Sequence, residues 1–421
     1  MRGVRFANVL KGRQGAGAGS VAIAVSFGIS GVLTYAFHSL AARTLGEEGY
    51  APLALLWSAT FLTVQVLWVG GTQTLGRYIA EREAQGQNWR PVESSVMRWQ
   101  AVLLGVFVVV ALLASPLLTA TVFEDWWLTA AFILVVALYA PEYFRRGIFN
   151  GHRQSLRLGG QIVAEAAGRL LLAAVLLFVG WGVFGPALAI VLAPVIGVLA
   201  VRPAPVAVPD VEGESFSAGK AFRFAGPVLA CMAFAQALMN GGPILASLLG
   251  GTNAQVAVLG AALILTRIPQ YVLSPAIGAL LPRASRILST EGRASFNRFV
   301  VGAASIVGLV GAIMVGGTWL LGEWGLRLFA DFEASRGVLV ALAAMAAFYI
   351  LSETLNQALF ALGRERLAAF GWLLGLLASI FCVATLNLGV VERVSFSLTV
   401  GATVAALAQI IFYLIARRRP S

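Results

Sequence analysis

Charge is what this chain has least of. Asp, Glu, Lys and Arg together make up 12% of its 421 residues, while 59% are apolar, and the mean hydropathy is +0.85. A soluble domain is about a quarter charged and about half apolar, so the excess apolar surface must face something other than water. Acidic residues are the scarcer sign, 19 against 30 basic, for a net charge of +11. Cysteine and histidine number two each. Cys231 and Cys382 both lie in apolar runs and read as small core residues, not as a disulfide or metal pair. With only His38 and His152 besides, no metal site and no cofactor is expected. The basic residues form no stretch outside the loops and tails, which makes nucleic acid a poor partner.

What the chain does have is long apolar runs, and a membrane helix needs about 20 such residues. Twelve runs can be read, at 19–42, 50–76, 96–121, 126–144, 158–180, 183–201, 224–250, 256–282, 299–321, 338–362, 367–390 and 394–416. The first follows a basic head containing Arg2, Arg5, Lys11 and Arg13. It exceeds the apolar core of a secretory signal, so it reads as a retained first helix. The fold class is therefore an all-α polytopic membrane protein with about 12 transmembrane helices. With the amino terminus inside, 24 of the 30 basic residues fall on inner segments and 4, Arg43, Arg327, Arg336 and Arg393, on outer ones. Arg169 and Arg267 stay within spans. A miscounted span would scramble that asymmetry, so the count predicts both termini in the cytoplasm of a multi-pass protein of the cytoplasmic membrane.

The most polar linker, around 202–221, carries Pro203, Pro205 and Pro209 and divides six spans from six. It is expected to separate an amino-terminal lobe, 1–201, from a carboxy-terminal lobe, 222–421. Weak internal matches support duplication. A shift of 204 brings Leu45 and Gly46 onto Leu249 and Gly250, and a shift of 206 brings Arg77 and Gly86 onto Arg283 and Gly292. Six spans being even, the copies would insert the same way up, around a central cavity.

Polar groups inside apolar spans are costly and mark pathways, ligands or partners. Arg267 and Arg169 each sit near the middle of a span, one in each lobe. Arg169 has Glu165 one turn earlier, in the order that favours an i,i+4 ion pair, so a structural pair and a cavity role are evenly balanced there. Arg267 has no carboxylate three or four residues away. A cavity-facing role is favoured for it over a cross-helix pair with Glu353. Asn240-Gly-Gly-Pro243 breaks the seventh span, and Pro269, Pro275 and Pro282 punctuate the eighth. Such breaks are tolerated where backbone lines a cavity or packs on protein. Gln236, Asn240, Gln270, Asn356 and Gln357 suit sugar hydroxyls or, equally, bonds between helices. Glu165 and Glu353 are candidate carriers of a coupling proton or sodium ion. Glu142 reads as an inner-surface residue, and His38 as an interfacial histidine near the outer end of the first span.

Several segments together resemble the polysaccharide flippases of the multidrug/oligosaccharidyl-lipid/polysaccharide exporter superfamily. They are Ala42-Arg-Thr-Leu-Gly-Glu-Glu-Gly-Tyr50, Arg77-Tyr-Ile-Ala-Glu-Arg82, Arg146-Gly-Ile-Phe-Asn-Gly-His152, Leu265-Thr-Arg-Ile-Pro269 through Leu281-Pro-Arg-Ala-Ser-Arg286, and Ala361-Leu-Gly-Arg364. Ala51 departs from the pattern, standing where a glycine is common. The resemblance implies two six-helix lobes around a cavity open alternately to each side. It implies a polyprenyl-(pyro)phosphate-linked oligosaccharide or related glycan precursor as cargo, membrane lipids as the other partner, and a monomeric transporter rather than an enzyme. The lipid II flippases of the superfamily usually carry two further helices that the twelve runs do not supply. On this expectation Arg267, Arg169 and Arg43 neutralise head-group phosphates, because guanidinium forks match phosphate oxygens, and the Asn and Gln groups meet sugars. The alternatives are a multidrug-type antiporter, which would want acidic and aromatic walls, and a membrane glycosyltransferase, for which the outer loops are short.

Overall fold

A computed structural model describes residues 2–211, 216, 218–268, 270, 273, 276, 277 and 280–417, with side chains for these except 2–18, 20, 218–225 and 282. The helices described are α1 (Arg2–Ala84), α2 (Arg90–Leu118), α3 (Trp126–Gly151), α4 (Ser155–Phe178), α5 (Phe184–Ala200), α6 (Ala218–Asn240) and α7 (Gly242–Leu248). They continue with α8 (Asn253–Thr266), α9 (Leu280–Thr290), α10 (Gly292–Ala330), α11 (Arg336–Ala361), α12 (Glu365–Thr385) and α13 (Val390–Ala416). A π-helical turn, Thr119–Phe123, extends α2. Among the described residues the only bridge is an isolated one between Gln87 and Val211.

α1 is two spans. Gly46 stands at φ 65° and ψ −174°, a region open essentially to residues without a Cβ, and the chain turns there before resuming its helix. α6 and α7 form one broken span, bent by 65° at the Asn240-Gly-Gly-Pro243 break. α8 ends at Thr266 instead of continuing through the apolar run, and Arg267 occupies the turn that follows, at φ −91° and ψ 0°. Pro269 has no N–H to offer the carbonyl of Leu265, so an uninterrupted ladder is not available there. Pro269 and Pro275, and the side chain of Pro282, lie outside the described residues. Among the described residues, eight helices are long and apolar enough to cross a membrane, nine with the bent α6–α7 pair, and α5 and α8 are shorter apolar helices. The flanks of α2 and α10 expose Val106, Val109, Leu113, Ile306, Leu309 and Ile313, an apolar surface suited to lipid.

Turns with left-handed backbone fall at matching intervals along the chain. Residues with positive φ recur at corresponding places in the two lobes: Gly46 with Gly250, Gly86 with Gly292, Glu124 with Asp331, and Arg153 with Gly363. The linker, by contrast, is no loose tether. Gln154 holds Ala204 through both backbone groups, accepting from its N–H at 2.9 Å and donating to its carbonyl at 3.1 Å. The Asn88 N–H donates to Val211 at 2.8 Å, and the Phe216 ring meets Tyr78 edge-on at 5.1 Å. These contacts hold Ala204, Val211 and Phe216 against one end of the first lobe.

That end, with the turns at 85–89 and 152–154, the linker, the 362–364 turn and Ala416, carries most of the arginines and is termed the basic face. Between lobes, polar contacts cluster at the opposite face. Tyr35 donates to the carbonyl of Ile264 at 2.5 Å, Ser39 to Phe329 at 2.5 Å, and Asn253 to Glu48 at 3.0 Å. Gly260 brings α8 so close to α1 that a Cβ there would meet the Cβ of Ala54 at 2.6 Å.

Because only glycine sits comfortably at the Gly46 backbone angles, Gly46→Ala is expected to cost about 1–3 kcal/mol. A lowered unfolding midpoint in detergent would register it.

Candidate functional site

Between the lobes lies a cavity of about 340 Å³, at the small end of the range typical of small-molecule sites. One wall belongs to α1, with Phe27 from its first half and Trp57, Phe61 and Gln65 from its second. The last three are one helical turn apart and so share a face. The other wall is carboxy-terminal. α6 supplies Gln236, Met239 and Asn240, the broken eighth span supplies Arg267, Gln270 and Ile277, and α11 supplies Tyr349, Ile350, Glu353 and Gln357.

The carboxy-terminal wall is ordered by a chain of hydrogen bonds. Arg267 Nη1 donates to Asn240 Oδ1 at 2.9 Å. The Asn240 amide donates onward to Gln236 Oε1 at 2.7 Å, and Gln236 Nε2 reaches the Tyr349 hydroxyl at 3.5 Å. Gln236 and Asn240 are one turn apart on α6, and the helix ends at Asn240, which frees that side chain to meet the turn after α8. Two breaks in two neighbouring spans thus bring a guanidinium and two amides together at bilayer depth. Tyr349 is held from its far side by Trp372, ring centroids 5.0 Å apart. Glu353 lines the same cavity and accepts a long bond from Asn356 at 3.5 Å.

Of the residues expected to form a site, Arg267, Gln236, Asn240, Gln270, Glu353 and Gln357 meet at this cavity. The other four are placed elsewhere. Asn356 is buried on the helix that carries Glu353 and Gln357, and is not part of the lining. Arg43 is exposed at the face opposite the basic one, where its Nη1 donates to the carbonyl of Leu328 at 2.6 Å. It sits just before the Gly46 turn, which carries it away from the centre. Arg169 is buried behind the α1 wall, its guanidinium 4.8 Å from the centroid of Trp57 and 5.9 Å from that of Phe37.

Behind that wall the first lobe holds a second polar group. Arg146 bridges Glu142 at 2.7 Å and Glu165 at 2.5 Å. Tyr139 donates to Glu165 at 2.7 Å, and Gln161 donates to Glu142 at 3.2 Å. The expected Arg169–Glu165 pair exists but is long, 3.6 Å, because Arg146 and Tyr139 have taken the carboxylate. Glu142 is not at the surface; it is fully buried, and Arg146 reaches in to it. Glu165 is therefore part of a charge-balanced cluster screened from the cavity by rings. His38 is also buried, its Nδ1 2.9 Å from the Tyr50 hydroxyl and its ring edge-on to Trp57 at 4.4 Å. Trp57, Phe61, Gln65 and Tyr349 were not singled out from sequence. Gln65 is a polar residue in an apolar span, and the spacing 57, 61, 65 is a readable helical stripe.

A family model described as "Polysaccharide biosynthesis protein" matches residues 16–288. The chain belongs to that family. An uncharacterized protein of Mycobacterium tuberculosis strain H37Rv is 26% identical over 379 residues, covering 86% of this chain and 85% of the relative. A second uncharacterized protein of that strain is 27% identical over 419 residues, covering 93% and 92%. Among solved structures, a multidrug resistance MATE family transporter of the MOP superfamily in its inward-facing conformation superposes with a TM-score of 0.72 at 17% identity. That match covers 94% of this chain and 98% of the other. The outward-facing conformation of a multidrug resistance MATE family transporter gives 0.66 at 15% identity, covering 95% of each, and the eukaryotic MATE transporter AtDTX14 gives 0.66 at 16%, covering 97% and 98%. The chain thus has a MATE-like fold.

Removing Arg146 would leave Glu142 and Glu165 facing each other without their shared cation. Loss of one partner of a buried ion pair costs about 3–5 kcal/mol. Arg146→Ala is accordingly expected to unfold at a lower temperature and to reach the membrane in smaller amount, measured by detergent melting and quantitative blotting.

Proposed function

We propose that this protein is a membrane exporter that flips a polyprenyl-(pyro)phosphate-linked oligosaccharide, or a related lipid-linked glycan precursor, across the cytoplasmic membrane. The observation that carries the reading is Arg267, placed by a helix break at the cavity wall and oriented by Asn240. A phosphate group leaving water needs strong donors in exchange, and a guanidinium offers several in a fixed fork. The amides of Gln236, Asn240, Gln270 and Gln357 supply donors and acceptors for sugar hydroxyls. The apolar tail needs no site of its own, since it can stay among lipid tails while the head group passes between lobes.

A multidrug-type antiporter is the second reading, and the α1 wall bears on it. Aromatic rings can cup an organic cation, but the Trp57 ring already has the Arg169 guanidinium over it. With Arg267 on the facing wall, a second cation at that ring would be repelled.

In this reading the lobes, 1–201 and 222–421, rock about the cavity. The contacts on the face opposite the basic one hold that side shut, so the conformation is the cytoplasm-facing member of an alternating pair, with both termini cytoplasmic. Coupling by proton or sodium is assigned to Glu353, the carboxylate that lines the cavity, rather than to Glu165 within its ion cluster.

In proteoliposomes, Arg267→Ala at normal protein level is expected to lower flipping of a lipid-pyrophosphate glycan at least tenfold, about 1.4 kcal/mol, with Arg267→Lys intermediate. Wild-type rates in Arg267→Ala, or uptake of a cationic dye that this change leaves intact, would sink the reading. A reporter active only in the cytoplasm should be active when fused after Ser421.

A further inference from the structure

Resting on the reading above, we infer that the α1 wall is a stacking platform for the sugar nearest the phosphates, with Phe61, braced by the buried Trp57, receiving the C–H face of a pyranose and Gln65 its hydroxyls. These three residues line one wall of the cavity in a single helical stripe. Their chemistry differs from that of the opposite wall, where a guanidinium and amides predominate. A glycan pyrophosphate is divided in the same way, into an anionic end and rings whose faces are C–H and whose rims are hydroxyl.

The platform is built to hold its shape. Trp57 and Phe61 lie 4.2 Å apart between centroids, tilted by 43°. Phe61 rests on Tyr139 at 5.8 Å, and Tyr139 is tied to Glu165. Trp57 is braced by Phe37 at 6.2 Å and by His38 at 4.4 Å, and His38 by the Tyr50 hydroxyl. Rings fixed this way have little rotamer freedom left to lose on binding. The negative faces of aromatic rings attract weakly positive hydrogens, which is what a pyranose face presents. Gln65, one turn on, both donates and accepts. Phe61 and Gln65 are only half-buried, so they face the hollow instead of being consumed by packing.

Two soluble probes separate this inference from the head-group reading: geranyl pyrophosphate, and geranyl pyrophosphate carrying one N-acetylglucosamine. Dissociation constants would be measured on protein in lipid nanodiscs, so that any inactive fraction drops out of the ratio. The wild type is expected to bind the glycosylated probe roughly three- to tenfold tighter than the bare one. Phe61→Leu and Gln65→Ala should each bring that ratio toward one, while Phe61→Tyr keeps it. A wild-type ratio of one, or a ratio unchanged in Phe61→Leu, overturns the platform. Failure of the head-group reading has a different signature, because geranyl pyrophosphate itself would then bind wild type and Arg267→Ala alike.

Discussion

A guanidinium at bilayer depth is the constraint from which the rest of the structure follows. Hydrocarbon offers it no donors or acceptors, so the protein must either neutralise the charge or give it a polar hollow. Both solutions occur. In the first lobe Arg146 and Arg169 are matched by Glu142 and Glu165 and walled in by rings. In the second lobe Arg267 donates to the neutral side-chain carbonyl of Asn240, which orients the fork. The second arrangement is the one that stands at the cavity wall.

The helix breaks belong to the same logic. Asn240 can reach Arg267 because α6 stops there, and Arg267 is in a turn because α8 stops one residue earlier. An unbroken seventh or eighth span would keep both side chains on helix faces and satisfy the local backbone internally. The glycines and prolines at these points are best understood as what lets a charged side chain be aimed.

Much of this was legible in the amino-acid sequence. Twelve apolar runs, the Gly46 turn, the break at Asn240-Gly-Gly-Pro243 and the family resemblance needed only composition, spacing and short motifs. Placement around the site was legible in part. Arg267 could be found because no acidic residue lies one turn away, and the cavity amides because they interrupt apolar runs. Glu142 was misplaced, since a position beside Tyr143, Phe144, Arg145 and Arg146 reads as a surface edge. Nothing local reveals that Arg146 turns inward to meet Glu165 nineteen positions on. Arg43 was grouped with the cavity on the family resemblance, although the run count had already put it on an outer segment. The rings of Trp57 and Phe61 were invisible for a plainer reason: aromatic residues in an apolar span are ordinarily packing.

The repeat adds a last step. Four turns recur between lobes at separations of 204 to 210 residues, so the two halves share a frame. The chemistry mounted on that frame does not recur. At a shift of 204, Trp57, Phe61 and Gln65 correspond to Ala261, Leu265 and Pro269, while Arg267 corresponds to Thr63. A symmetric cavity would accept a head group in either of two orientations, and every contact would have to serve both. Here one wall is aromatic and the other cationic and amide-bearing, so a cargo with one anionic end and one ring-bearing end has a single favourable orientation. Different side chains on matching turns therefore give the cavity two unlike walls, and on the proposed reading it is this difference that orients an amphipathic head group.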